Sequence, residues 1–289
     1  GGGLTQVYLN QQPIPLAFHF GGIRSTVASS LIETIDIYPS NYGVEYGRVN
    51  GGAVNVELRR PKTDRIHTEV EADLFDAGAL VEGPVGENGA FALAVRRSYF
   101  DFLVQAFIPQ DGPINITTLP RYYDGQAIYD WKKGDHQLNL MVYGSSDKFV
   151  IVFEDPLEEE PRIQGEGVFA LEWYGTQAKL KSRLTDRLTN EISLAWLRTM
   201  VEVRFGTLVD LDFDFHQWLL RDALIYKPSE KLQLRLGVDA ELTDSDIYAF
   251  GAGGPPKEGR PDTPTTEEAF ETSEQSTFRS IGLFTDIEY

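Results

Sequence analysis

The residues of this chain best suited to bind something lie in one short run, Phe18-His19-Phe20-Gly21-Gly22-Ile23-Arg24. Phenylalanine rings offer stacking and apolar area, the Arg24 guanidinium offers a fork for an anionic group, and a histidine such as His19 titrates between about pH 5 and 8. The same run reads equally well as core, with Phe18 and Phe20 packed inward. No catalytic constellation stands beside it. His19, His67, His136 and His216 lie far apart, with no two at metal-ligand spacing, and cysteine is absent. That leaves no thiolate nucleophile, disulfide framework or cysteine-type zinc site. Hydrolase-elbow, zinc-protease and phosphate-loop signatures are missing as well, so no enzyme activity, metal site or cofactor is expected. Two acidic regions, Glu154 to Pro161 and the stretch holding Glu267, Glu268, Glu271 and Glu274, carry the hard oxygen ligands that calcium favours. Runs of like charge read first as solvated loops.

The elements that must position these residues follow from composition and period. With 289 residues and 42% hydrophobic content the chain can build a core, and a net charge of −18 argues against nucleic acid as a partner. No apolar run approaches the ~18 residues of a membrane-spanning helix. A membrane barrel stays open, because its lipid-facing and lumen-facing residues alternate and average hydropathy stays near zero. Aromatics at 12% suit the girdles of such a barrel.

From Arg65 onward the chain alternates with period two over about ten segments: 66–75, 78–85, 90–102, 121–131, 136–146, 165–184, 189–205, 207–227, 231–248 and 278–289. Short turns at 86–89, 133–135, 185–187 and 227–230 alternate with longer polar connections at about 103–120, 147–164 and 249–277, apart from brief ones near 76–77 and 206. Asn88-Gly89 is a hairpin signal, and unequal connections are a feature of outer-membrane barrels. Between Lys231 and Glu241 the apolar set Leu232, Leu234, Leu236, Val238 and Ala240 opposes Gln233, Arg235, Asp239 and Glu241. A soluble sandwich shows the same period, but segments of ~12–20 residues exceed the usual ~5–6 of globular strands. Lys179, Glu202 and Arg204 are expected to face the lumen or project beyond the bilayer, since a charge on the lipid face near the midplane costs roughly 2–4 kcal/mol.

The first 64 residues are organised differently. Val7-Tyr8-Leu9 leads to a turn at Asn10-Gln11, Ser25 or Thr26 is placed to cap a short helix reaching Ile32, and Leu31 to Pro61 holds two alternating strands separated by Tyr46-Gly47 and Gly51-Gly52. Gly47, Gly51 and Gly52 suit positive φ or close backbone approach. In order and spacing, Ile32-Glu33-Thr34-Ile35-Asp36-Ile37, then Tyr46-Gly47, then Gly51-Gly52-Ala53-Val54-Asn55-Val56, then Arg59-Arg60-Pro61-Lys62 resemble the end of the plug of TonB-dependent outer-membrane receptors. Asn10-Gln11 stands where that family's hairpin usually has Asp-Gly.

The resemblance implies a mainly β fold, a transmembrane antiparallel β-barrel of about 22 strands in the complete protein, with about ten here and a small α/β plug. Residues 1–64 would be the later part of the plug and 65–289 the first barrel strands. Both ends would fall inside domains, with the TonB box and the closing strands lying outside this sequence, as in an excerpt or one piece of a split receptor; the opening Gly1-Gly2-Gly3 without Met suits a processed or truncated start. The implied function is binding a scarce ligand such as a siderophore or peptide at the surface of a Gram-negative cell and importing it through the plug-gated barrel. Its implied partners are that small molecule, the inner-membrane TonB complex and outer-membrane lipid. Phe18, His19, Phe20 and Arg24 would form the floor of the ligand site, and Tyr46, Gly47, Gly51, Gly52 and Asn55 the structural motif. A passive porin or surface-adhesin barrel of about ten strands is the alternative.

Overall fold

The structure, a computed structural model, describes residues 5–19, 22, 24–40, 42–47, 49, 51–99, 115–153, 165–252 and 269–289. Four short strands form an N-terminal sheet: β1 (Gln6–Leu9), β2 (Gln12–Ile14), β3 (Ile32–Tyr38) and β4 (Ala53–Leu58), in the order β2-β1-β4-β3. β1 runs parallel to β4 and the other pairs are antiparallel. Asn10 and Gln11 close the first hairpin with φ of 48° and 67°, the left-handed pair that a two-residue hairpin of this kind demands and that Asp-Gly or Asn-Gly ordinarily supplies.

The expected helix is not formed. Thr26 donates its N–H to Ala17 and its hydroxyl to Leu16, which ties the segment into a hairpin, and only a three-residue 3-10 turn, Ser29–Leu31, follows. The helical part of the α/β expectation is thus reduced to that turn. Gly47 and Gly52 do not have positive φ. Close approach is the reason at Gly52, where a Cβ would stand 3.1 Å from the Tyr38 carbonyl oxygen.

The period-two segments make one ten-stranded antiparallel sheet in which each strand pairs with its chain neighbour. Its strands are β5 (His67–Ala72), β6 (Asp76–Val85), β7 (Gly89–Ser98), β8 (Asn115–Lys133), β9 (His136–Phe153), β10 (Gly165–Arg183), β11 (Leu188–Phe205), β12 (Val209–Ser229), β13 (Leu232–Gly251) and β14 (Phe270–Glu288). β5 and β14 are its edges. Several strands outrun the alternating segments: β8 begins at Asn115, β9 reaches Phe153 and β14 begins at Phe270, inside stretches expected to be loops. Turns at 86–88, 134–135, 184–187 and 230–231 mark one end of this wall, and the longer connections join the other.

The N-terminal sheet lies on one face of the wall, called inner here. Leu9, Ile14, Val27 and Leu31 pack with Leu80, Ala92, Ala94, Ile128, Met141, Tyr143, Trp173 and Leu197 in a shared core. On the other side of the small sheet Tyr8 and Tyr46 meet edge to face at 5.0 Å, beside Ala53 and Tyr38. The outer face carries the alternate residues. Leu140, Val142, Leu180, Ile192, Leu194, Leu220, Leu224 and Leu236 form an exposed apolar band, Leu236 retaining 59% of its surface. A line of aromatics, Tyr174-Trp196-Trp218 with neighbouring centroids 5.6 and 6.0 Å apart, borders it toward the long connections. Asn190 and Asp222, hydrogen-bonded at 2.5 Å, are a polar break within it.

Candidate functional site

The run that opened the sequence reading sits at the long-connection end of the N-terminal sheet, as the tip of a tight hairpin. Phe18 bridges to Ser25, His19 donates its backbone N–H to the Arg24 carbonyl at 2.8 Å, and Gly22, at φ 70°, donates back to His19 at 2.9 Å. Phe20 lies outside the described residues. Phe18 keeps 52% of its surface exposed.

His19 does not face open space; it is 2% exposed and wedged against the wall. Its Nδ1 lies 2.9 Å from Asp147 Oδ2 and its Nε2 3.0 Å from Asp124 Oδ2, while its ring stacks on Tyr122 at 3.8 Å. A neutral imidazole has one N–H and one lone pair, so with a carboxylate oxygen at each nitrogen only the doubly protonated ring satisfies both. Burial works against that charge, but the hydrogen bonds to Asp124 and Asp147 and their negative charge outweigh it, and the pKa is raised above the usual 6.5. The carboxylates sit on opposite sides of the ring, so the trio cannot converge on one metal ion. Arg96 extends the network, bonding Asp124 at 2.9 Å and the Ser25 carbonyl.

Arg24 is also engaged, paired with Asp73 and, at 3.0 Å, with Asp76, whose other partner is the Tyr122 hydroxyl. Carboxylates of the wall thus pair with both His19 and Arg24, which anchor the hairpin that carries Phe18. The Glu154 to Pro161 run lies outside the described residues, as do Glu267 and Glu268. Glu271 and Glu274 belong to β14 rather than to a loop.

At the short-turn end the anchors are arginines. Arg59 grips Glu82 through two parallel bonds of 2.7 and 2.9 Å, Lys62 adds its backbone N–H and its ammonium, each at 3.1 Å, and Arg60 pairs with Asp130. Lys179, on the inner face of the wall, donates to the Asn10 carbonyl at 2.6 Å. Asn55 accepts the Gln11 backbone N–H at 3.0 Å, and Asn10 Oδ1 accepts that of Leu58 at 2.8 Å, so the strained turn is held from both sides. Two cavities, of ≈ 350 and ≈ 240 Å³, lie between this end of the small sheet and β8–β14, with Gln11 and Lys179 lining both.

No family profile and no curated protein matches the sequence. Solved structures do match. The ferric yersiniabactin uptake receptor FyuA from Yersinia pestis superposes with a TM-score of 0.68 over 98% of this chain and 45% of its own, at 12% identity. The outer membrane transporter YddB from Escherichia coli gives 0.61 over 98% and 46% at 9% identity, and the copper transporter OprC 0.61 over 99% and 44% at 13% identity. The chain has the fold of the TonB-dependent outer-membrane receptors. It spans less than half the length of each of these structures.

Within that receptor fold, the residues that sequence reasoning missed are the wall carboxylates Asp76, Glu82, Asp124, Asp130 and Asp147, all buried. Their alternation marks them as inward-facing. Nothing local names their partners, because His19 is separated from Asp147 by 128 positions and from Asp124 by 105.

Proposed function

We propose that this chain is the first part of an outer-membrane receptor that binds a scarce small ligand at the cell surface and imports it past a plug, with energy delivered through TonB. One observation carries the reading: the burial pattern is inverted relative to a soluble protein. Carboxylates such as Glu82 and Asp147 are 1% and 2% exposed, while the opposite face leaves leucines and isoleucines bare, up to 85% at Leu283. Water would not tolerate an uncovered apolar band running across the sheet, whereas lipid requires one. The strands β8–β14, 18 to 21 residues long, extend about 60–70 Å at ~3.4 Å per residue. That is about twice the hydrocarbon thickness, so they span it and project on the side of the long connections.

In this reading residues 1–64 belong to the plug and 65–289 to the barrel. The plug fills a lumen that about ten strands alone would be too narrow to provide, which disfavours a small passive porin or adhesin barrel. Phe18 is the proposed cargo-facing side chain, with His19 and Arg24 fixing the hairpin that presents it and Phe20 beside it in sequence.

Cell fractionation tests the placement. The protein should sediment with outer membranes and extract only in detergent, with added protease cutting near 154–161 and 253–268 from outside. A monodisperse soluble protein recovered without detergent contradicts it. Uptake that survives loss of TonB would favour the passive alternative. Phe18→Ser should lower ligand affinity at unchanged receptor abundance; reduced abundance would make Phe18 core.

A further inference from the structure

The inner face of the wall changes character beyond the His19 hairpin. Tyr143, Trp173 and Leu197 belong to the core under the small sheet, so the alternation keeps Phe149 on β9, Phe169 on β10 and Thr199 on β11 on that same face. Pairing register carries the face across the sheet, with Leu197 opposite Gln217, Gln217 opposite Thr243 and Thr243 opposite Phe278. Phe213 and Phe215, their rings 6.3 Å apart, therefore also point inward. From Ser145, Leu171, Thr199, Phe215, Thr243 and Phe278 to the long connections, the described inward positions of β9–β14 include no lysine or arginine. Their only ionisable side chains are Asp147, which holds His19, and Glu274. Lys148, Arg198, Arg204 and Arg279 fall on the outward alternation. The inward Lys179, Arg221 and Arg235 lie toward the short turns, against Asn10, Asp239 and Glu45. A hollow of ≈ 360 Å³ opens on this wall between Leu197, Thr199, Phe215, Thr243 and Phe278. Glu241, also on its lining, accepts from Gln217 at 2.7 Å and from the Thr243 hydroxyl at 3.1 Å. Phe278 keeps 56% of its surface exposed and Phe169 38%.

We infer that this wall selects a cargo with an aromatic or aliphatic body and no net negative charge, the hollow at Phe215 and Phe278 receiving its apolar part. The inference rests on the receptor reading above and narrows its ligand. Phenylalanines left bare on a lumen-facing wall are stabilised when an apolar partner covers them. A carboxylate or phosphate brought against them would lose its hydration and meet no cation in return, and Glu241 and Glu274 would repel it. The cations of the neighbouring hairpin, His19 and Arg24, already sit on carboxylates. Thr199 and Glu241 supply the few polar contacts that orient an uncharged or cationic ligand in an apolar site.

The test uses the receptor containing this chain, purified from outer membranes in neutral detergent. It is dialysed to equilibrium against naphthalenemethanol and against naphthoate, which share a ring system and differ in charge, and uptake by protein-free detergent is subtracted. Naphthalenemethanol should bind, and naphthoate should bind roughly tenfold more weakly or worse. Phe215→Ser/Phe278→Ser removes both rings and should weaken naphthalenemethanol binding by about tenfold or more at unchanged receptor abundance. Thr199→Lys places a cation on the hollow and should raise naphthoate binding about tenfold. No binding of naphthalenemethanol, equal binding of naphthoate, equal binding by the double serine variant, or naphthoate binding unmoved by Thr199→Lys would each overturn the inference. If the double variant fails to reach the membrane, the two ligands on the unmodified receptor and Thr199→Lys decide it. Since the receptor is recovered from membranes first, those outcomes leave the membrane reading standing; recovery as a soluble protein would remove both.

Discussion

The N-terminal sheet is fastened to the wall at two ends by different chemistry. At the short-turn end the anchors are guanidinium groups on carboxylates, Arg59 on Glu82 and Arg60 on Asp130, and an arginine keeps its charge at any pH a cell meets. At the long-connection end the central anchor is an imidazolium between Asp124 and Asp147, whose charge lies within reach of ordinary pH change. The difference teaches that the same task, holding a polar surface in place, can be permanent at one end of a small sheet and conditional at the other.

The largest effect is expected where a buried charge loses its partner. Arg59→Ala leaves Glu82 with Lys62 alone and should lower stability by about 3–5 kcal/mol, read from thermal unfolding of the receptor in detergent. Adding Glu82→Gln should recover part of that loss; no recovery would mean that packing, not charge, holds this end.

At the other end Asp147→Asn should cost about 2 kcal/mol, since it weakens one charged hydrogen bond. Here the loss should be local, as faster amide hydrogen exchange over residues 17–27 with little change at 53–62. Equal acceleration in both segments would erase the distinction between the anchors.

A pH change separates the ends without mutation. His19 has a raised pKa in the folded protein, so its contribution is complete below about pH 6.5 and disappears as pH rises through the raised value. Exchange in the 17–27 hairpin should therefore accelerate, after correction for intrinsic rates, as pH climbs from about 6 to about 9, while the Arg59 end holds. His19→Gln should abolish the pH dependence. The smallest effect belongs to the turn at the arginine end: Gln11→Gly relieves a left-handed conformation and should raise stability by about 1 kcal/mol, because the Asn55 bond uses the backbone N–H and survives. A decrease would show that the Gln11 side chain contributes more than its strain costs.

Much of the wall was legible because alternation reports a two-faced strand: every one of the ten expected segments contains a strand. Its ends were not. Phe270 to Ser276 and Asp147 to Phe153 are strand beyond the alternating segments: the first is polar on both faces after Phe270 and the second is apolar at every position from Phe149 to Phe153, and neither composition leaves an alternation to be read. The 25–32 segment was misread because its capping residues favour a helix locally, while Gln126, from β8, takes the Ala28 N–H and donates to the Thr26 carbonyl. His19 shows the limit most clearly. Its residue type announced titration, but its partners come from β8 and β9, and only pairing of the full sheet brings them to it.

The central claim is that the outer face of the wall lies in lipid. The chain has no cysteine, so single cysteines can be placed on β11 at Ile192 and Leu194, which face outward, and at Ser193 and Ala195, which face in. After membrane assembly, positions 192 and 194 should react with a membrane-soluble maleimide and resist a water-soluble one, while 193 and 195 should resist the membrane-soluble reagent. Reaction of 192 and 194 with the water-soluble maleimide as fast as in the unfolded protein would contradict the account.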